Sequence, residues 1–296
     1  MTQRYLLSGF SFDSEGPHLV LDSAERPRTR EKFWIRDSVF TLLRQEGRYC
    51  IGRYNLATFE SFPCPKGALA SDTAQSCWDC MRANGFNPAF YNVAREQLSP
   101  QQRLYNETPH VLYVAVFGHV SMKAGIASRS RARTRLMEQG ARIAAIVASF
   151  PDAYAARDIE RVLIARPELS ETVQNVTKRR LLNTPFDVSR ARIVLQEFVE
   201  RLDIDLNVSE KSIVDLTGDY LGAHELEPPL LDLTDDEPVQ ISGRGLGMIG
   251  DILVMRQGQQ QFMLSLKRAI GHMIEIDPVE KPNQTADAST QLNLGF

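Results

Sequence analysis

The stretch from His110 to Ala141, HVLYVAVFGHVSMKAGIASRSRARTRLMEQGA, constrains this chain more than any other. Val111 to Phe117 is an apolar, β-rich run with an aromatic at Tyr113, and such a run reads as a buried strand. Gly118-His119-Val120-Ser121 forms a tight turn, and Lys123-Ala124-Gly125-Ile126 begins a second short strand. A helix follows from Ser130, carrying Arg131, Arg133 and Arg135. It ends at Gln139-Gly140, where glycine suits the position just past a helix C-terminus because it turns left-handed at no steric cost. Six basic residues (Lys123, Arg129, Arg131, Arg133, Arg135, Arg142) face a single acid, Glu138, in a chain of formal net charge −3. That local excess points to a phosphate-bearing partner, although arginines on a surface helix also serve simply as a solvated face.

The pattern continues beyond the arginines. Ala141 to Phe150 is apolar and strand-like. A helix from about Asp152 carries Asp158, Glu160 and Arg161, with Ile159, Val162 and Leu163 on its buried side. An amphipathic helix then runs from about Val188 to Leu202, with Ile193, Leu195, Phe198, Val199 and Leu202 in its apolar stripe.

All four cysteines lie upstream, spaced C-x13-C-x12-C-x2-C at Cys50, Cys64, Cys77 and Cys80. Pro63, Pro65 and Gly67 keep the second in a loop, and Cys77-Trp78-Asp79-Cys80 starts a short helix. A CxxC pair brings two thiolates to one ion without strain, and two more complete a tetrahedral zinc site. Four thiolates leave no open coordination position, so the zinc is expected to be structural. The competing readings are four unrelated buried thiols or a lone redox CxxC.

Val111-Leu112-Tyr113 and Lys123-Ala124-Gly125 look like the paired GIY and YIG segments of the GIY-YIG nuclease domain. The run K-x-G-I-x-S with Arg131, then T-R-x-x-x-Q-G-A, resembles a family of bacterial proteins of unknown function. That family joins a cysteine-rich N-terminal segment to a GIY-YIG-like core. The likeness is at motif level in the middle and loosely covers most of the chain. It departs from the nuclease pattern in two places: GIY is VLY, and Lys123 holds the second tyrosine position. The resemblance implies phosphodiester hydrolysis through one divalent ion, Mg²⁺ or Mn²⁺. Tyr113 matches the first tyrosine, set to touch or activate the nucleophile. Lys123 would stabilise phosphorane charge, being a poor base at its usual pKa. Gly125 would let backbone approach a phosphate. Arg135, with Arg131 as second choice, would clamp a non-bridging oxygen. Arg129 and Arg133 would contact backbone phosphates, and Glu160 would hold the ion. Against this stands the plain reading of Tyr113 as a core tyrosine and of Glu160 as a helix ion-pair partner.

The expected fold is α+β: a GIY-YIG-like small antiparallel sheet with flanking helices, β-rich N- and C-terminal segments and the four-cysteine zinc module. Residues 1–107 form the β-rich N-terminal region with that module, and 108–204 the GIY-YIG-like core. Residues 205–276 are an acidic linker (LDLTDDEP at Leu231 to Pro238) and a C-terminal β segment, and 277–296 a disordered polar tail. RPRTREK, Arg26 to Lys32, reads as a solvated basic turn, and Trp34 to Leu43 fits either period. Gly243-Arg244-Gly245-Leu246-Gly247 resembles a dinucleotide loop only superficially, since no helix follows it; glycines at the bends of a small barrel suit it better. The composition, 43% hydrophobic and 24% charged, is that of a soluble globular protein. No apolar run approaches the roughly 18 residues of a membrane helix. Without an export signal, and with cysteines spaced as ligands, the cytoplasm is the expected compartment. The functional expectation is a metal-dependent nuclease acting on DNA or RNA. The alternatives are a non-catalytic nucleic-acid binder, or a transferase or other small-molecule enzyme reusing the cleft.

Overall fold

The structure, a computed structural model, describes residues 3–71, 74–87, 89–118, 121–170, 172–202 and 213–278. Most of the expected tail, residues 203–212 at the junction of the expected core and linker, and His119-Val120 of the turn lie outside them. Four strands open the chain: β1 (Gln3–Asp13), β2 (Gly16–Ser23), β3 (Arg30–Trp34) and β4 (Val39–Arg48). The short β5 (Arg53–Tyr54) and β6 (Ser61–Phe62) follow, then helices α1 (Trp78–Asn84) and α2 (Pro100–Asn106). The middle of the chain is β7 (His110–Gly118), β8 (Ser121–Ser128), α3 (Ala132–Gln139), β9 (Ile143–Phe150) and α4 (Ala153–Ile164). Next come β10 (Leu169–Ser170), α5 (Asn175–Leu182), α6 (Val188–Glu200), β11 (Ile213–Asp215) and α7 (Thr217–Leu221). The last strands are β12 (Leu231–Asp232), β13 (Gln240–Ile249), β14 (Ile252–Gln257), β15 (Gln260–Ser265) and β16 (His272–Pro278). The chain is α+β.

Two large sheets carry this mixture. One has nine strands in the order β12-β15-β14-β13-β4-β16-β1-β2-β3, the other five in the order β10-β8-β7-β9-β11. The two β-rich ends of the chain therefore build one sheet. β4 lies between β13 and β16, and Gln3 of β1 pairs with Ile276 of β16. Its order is open from β12 to β3, so the glycine-studded stretch is a strand, β13, rather than the corner of a small barrel. A Cβ at Gly247 would sit 2.0 Å from the Tyr220 carbonyl oxygen, so glycine there admits α7 against the sheet.

β7 is the middle strand of the smaller sheet and is buried throughout. Successive side chains of a strand point to opposite faces. Tyr113, Ala115 and Phe117 join Leu136 and Met137 of α3 and the apolar face of the nine-stranded sheet. Leu112, Val114 and Val116 instead face Leu163 of α4 and Leu195 and Phe198 of α6. Covering on both faces is why this stretch is continuously apolar. Local signals set its neighbours: the Asp152 carboxylate accepts the Ala155 N–H at 2.8 Å and starts α4, and Gly140, at φ 80, ends α3.

Two stretches differ from their sequence reading. RPRTREK is solvated along most of its length, with Arg26, Pro27, Thr29, Glu31 and Lys32 exposed, but it is pinned at Arg30. Arg30 makes two hydrogen bonds, 2.6 and 2.9 Å, to the fully buried Asp22 and a third, 2.8 Å, to the Ile51 carbonyl. The stretch between α6 and β13 contains α7, whose Tyr220 is fully buried and donates to the Ala141 carbonyl. Its five residues are too few for helical periodicity to register. The acidic run is docked as well, with Asp232 and Asp235 holding Arg179 of α5.

Candidate functional site

The four cysteines meet. Cys50 follows β4, Cys64 lies in the loop after β6, Cys77 caps the start of α1 and Cys80 is inside it. Their sulfurs all lie within 4.8 Å of one another, with Cys64 and Cys77 at 4.0 Å. A tetrahedral ion with metal–sulfur bonds of about 2.3 Å needs sulfur–sulfur edges of roughly 3.8 Å. All four thiols are free, and three are buried. The Gly52 N–H points at the Cys50 sulfur, 3.3 Å away. Burial works upward on the Cys64 thiol, but N–H groups of Ala68 and Lys66 and the neighbouring thiols of Cys50 and Cys80 bring it to about 7. Burial, ahead of the neighbouring sulfurs, holds Cys80 well above its usual range. Four sulfurs this close together could hold a metal ion.

The second cluster lies on the five-stranded sheet. Tyr113 and Gly125 are directly opposed in the β7–β8 ladder. A Cβ at 125 would fall 2.4 Å from the Tyr113 hydroxyl oxygen and 2.6 Å from Cζ, so the phenol lies over the glycine. Position 125 is glycine because Tyr113 occupies the space a side chain would need. Gln139, the last residue of α3, donates from Nε2 to the phenol oxygen at 2.6 Å. Burial pushes the phenol pKa up; Gln139 and Arg135 pull it down and Glu160 pushes it up again. Arg135 from α3 and Glu160 from α4 thus both stand within electrostatic reach of one hydroxyl. Tyr113 itself is 1% exposed. Glu160 is buried and forms an ion pair with Arg157, whose guanidinium lies 4.2 Å from the Tyr91 ring centre.

The arginines separate by what they touch. Arg131 donates to the Tyr54 hydroxyl at 2.9 Å and to Glu138 at 2.8 Å, tying α3 to β5 of the cysteine module. Arg133 pairs with Asp219 of α7 at 2.7 Å. Arg129 is exposed and borders a shallow surface cavity with Tyr105. Arg135 is only loosely held, with a side chain 53% exposed and 3.7 Å from Glu138. Arg131 and Arg135 together line a pocket of about 390 Å³.

Sequence reasoning missed a third group. Lys178 of α5 lies 5.5 Å from the centre of the Phe117 ring. Burial first, then the charges of Lys267, Lys123 and Arg135, bring its pKa down to about 8, while Asp251 acts upward. Asp251 is buried and accepts from Asn175 at 2.6 Å and Ser265 at 2.7 Å. Lys123 and Arg135 therefore belong to a cationic cluster supplied by β8, α3, α5 and the turn after β15. Only the Lys178-Arg179-Arg180 run hinted at this from sequence, because the cluster's members are long-range neighbours.

Residues 69–274, well over half of the chain, match a family described as a protein of unknown function, DUF2797. No curated protein and no solved structure matches. The matched span begins after Cys50 and Cys64 and takes in Cys77, Cys80, the five-stranded sheet and most of the C-terminal strands. The chain belongs to the DUF2797 family.

Proposed function

We propose that this chain is a metal-dependent phosphodiesterase acting on nucleic acid, with a GIY-YIG-like core and a zinc ion in the four-cysteine module. One observation carries the reading: Arg135 and Glu160, from different helices, both act on the Tyr113 hydroxyl where it lies over Gly125. The order strand, strand, helix, strand, helix from β7 to α4 supports it, since the motif resemblance needs these residues in that order. Arg135, exposed and loosely held, would clamp a phosphate oxygen. Lys123 and Lys178 would add positive charge where the pentavalent phosphorus develops negative charge. Tyr113, fixed by Gln139, would act as a positioning group beneath them.

Four converging thiols fit zinc, which would hold the module together and leave no open position. For a divalent cation at the phosphate, Glu160 stands alone: among the described residues only the cysteines form a group of three or more possible ligands. One carboxylate suffices for Mg²⁺ when substrate oxygens complete its shell, and Glu160 would hold it. Such an ion supplies Lewis acidity at a phosphoryl oxygen. Arg157 would then have to yield part of its hold on that carboxylate.

The test is incubation with Mg²⁺ or Mn²⁺ and single-stranded, double-stranded and branched substrates, using wild type and Glu160→Gln. Cleavage that needs the ion and disappears in Glu160→Gln supports the reading; cleavage undiminished in the variant removes it. The 1% exposure of Tyr113 and the Arg157 pairing of Glu160 favour a second reading, a binder without chemistry. It predicts salt-sensitive binding with no cleavage under any ion.

A further inference from the structure

The 390 Å³ pocket lies where three parts of the chain meet. Tyr54, Phe59 and Phe86 come from the cysteine module. Phe90 and Tyr105 come from the segment leading to β7, and the end of β8 closes the far wall. The volume is that of a small-ligand site. These five aromatic rings border one cavity; Phe59 and Tyr105 meet edge to face and Arg131 lies over the Tyr54 and Phe59 rings, while Phe86 is 53% exposed and has no ring partner among the described residues.

Two buried polar groups in this lining are unsatisfied. Asn106 is fully buried, and its Nδ2 donates to the Tyr154 hydroxyl at 3.3 Å, but its Oδ1 has no partner. Ser128 is 1% exposed and its hydroxyl has no partner either. Leaving such groups unpaired is costly, and native interiors rarely tolerate it. His110 also lines the pocket: its Nδ1 lies 2.8 Å from the Thr108 carbonyl, which only accepts, so in the neutral ring Nδ1 carries the proton and Nε2 is an acceptor. The lining therefore offers flat aromatic faces, two acceptors and a hydroxyl, with the guanidinium groups of Arg131 and Arg135 beside them. Aromatic stacking for a planar ring, acceptors for ring N–H groups and arginine for phosphate are what an unstacked nucleotide requires.

We propose that this pocket takes the base of an unpaired nucleotide and that Arg135 holds its phosphate. Arg135 lines the pocket and also acts on Tyr113, so a nucleotide bound here is anchored next to the residues assigned to phosphate chemistry. The phosphate's role there rests on the phosphodiesterase reading; capture of the base does not. A free mononucleotide and a base within a single strand present the same chemistry.

The experiment measures equilibrium binding without divalent ions. The probes are four nucleoside 5′-monophosphates, single-stranded oligonucleotides of about eight nucleotides, the length a single-strand groove tracks, and duplexes of the same sequence. Phe86→Ala and Ser128→Ala are compared with wild type. Phe86 is 53% exposed, and Ser128→Ala removes an unpaired hydroxyl, so neither variant should prevent folding. Phe86→Ala should weaken single-strand binding about five- to a hundredfold, the range for a lost base-stacking partner. Ser128→Ala should weaken it while leaving thermal stability unchanged or raised. Tight strand binding with weak mononucleotide binding identifies a strand as the source; equal affinities per nucleotide identify a free nucleotide. Binding of duplex as tightly as single strand, unaffected by both variants, overturns the pocket and leaves the phosphodiesterase reading standing. Failure of every probe to bind overturns the pocket too. Base binding that responds to both variants, with no cleavage under any ion, upholds the pocket and removes the phosphodiesterase.

Discussion

Replacing Gly125 by alanine isolates the contact on which the central cluster is built. The added Cβ would lie 2.4, 2.6 and 3.0 Å from Oη, Cζ and Cε2 of Tyr113. The ring cannot swing away freely, since Tyr113 is 1% exposed and its hydroxyl is held by Gln139. Overpacking of this kind costs about 1–3 kcal/mol. Alanine recovers roughly 0.5–1 kcal/mol, because glycine loses more chain freedom in a strand. Contacts as short as 2.4 Å place the cost at the upper end of that range, so the net loss is about 2 kcal/mol, a fall of roughly 1 M in the urea midpoint followed by far-UV circular dichroism. Tyr113→Phe should not rescue the variant, because Cζ remains at 2.6 Å. Tyr113→Leu should, because it removes all three clashing atoms; in that background Gly125→Ala becomes neutral or stabilising. An unchanged midpoint for Gly125→Ala, or the same loss in both backgrounds, would refute the steric account. Gly125 would then be free to serve the phosphate alone, and the variant would lose activity without losing stability.

Two further outcomes follow from the site. The purified protein should carry about one zinc per chain by elemental analysis, and Cys77→Ser or strong chelation should remove it and lower the unfolding temperature; a content far below one per chain would exclude the ion. Lys178 has its pKa lowered to about 8, so between about 8 and its usual 10.5 the unfolded chain holds a proton that the folded chain sheds. Wild-type stability should therefore rise with pH across that window relative to Lys178→Met, by about 1–3 kcal/mol after allowance for partial exposure. Below pH of about 8 the difference should be constant, and a difference that stays flat up to pH 10.5 would show that Lys178 is not so perturbed.

The elements around the site were legible because their signals are local. The unbroken apolar run gave β7, Asp152 the start of α4, Gly140 the end of α3, and the cysteine spacing a metal-sized cluster. What stayed hidden depends on pairing between distant residues. Nothing in the period of β4 announces that it will lie between β13 and β16, because alternation says which face is buried and not which strand is adjacent. Arg30 reads as a turn residue until Asp22 is placed beside it. Lys178 and Asp251 have no common motif and meet only when α5 docks near the β13–β14 turn. Gln139 was legible as a helix end but not as the donor to Tyr113, a contact made by tertiary packing.

The cysteine module and the nucleotide pocket are mechanically one object, which gives the metal a consequence beyond stability. Tyr54 lies in the loop between Cys50 and Cys64, lines the pocket and accepts a hydrogen bond from Arg131 through its hydroxyl. Its own N–H donates to Asn84, the last residue of the helix that begins at Cys77 and contains Cys80. Asn84 and Phe86 line the same pocket. An ion joining the four sulfurs therefore closes both loops that supply this wall, and through Tyr54 it also sets the direction of Arg131. No cysteine lines the pocket, yet nucleotide affinity should fall in step with metal content as the ion is withdrawn. Titrating the metal out while measuring mononucleotide binding tests this: affinity that persists in fully metal-free, still folded protein would mean that Arg131 and α3 position the wall by themselves.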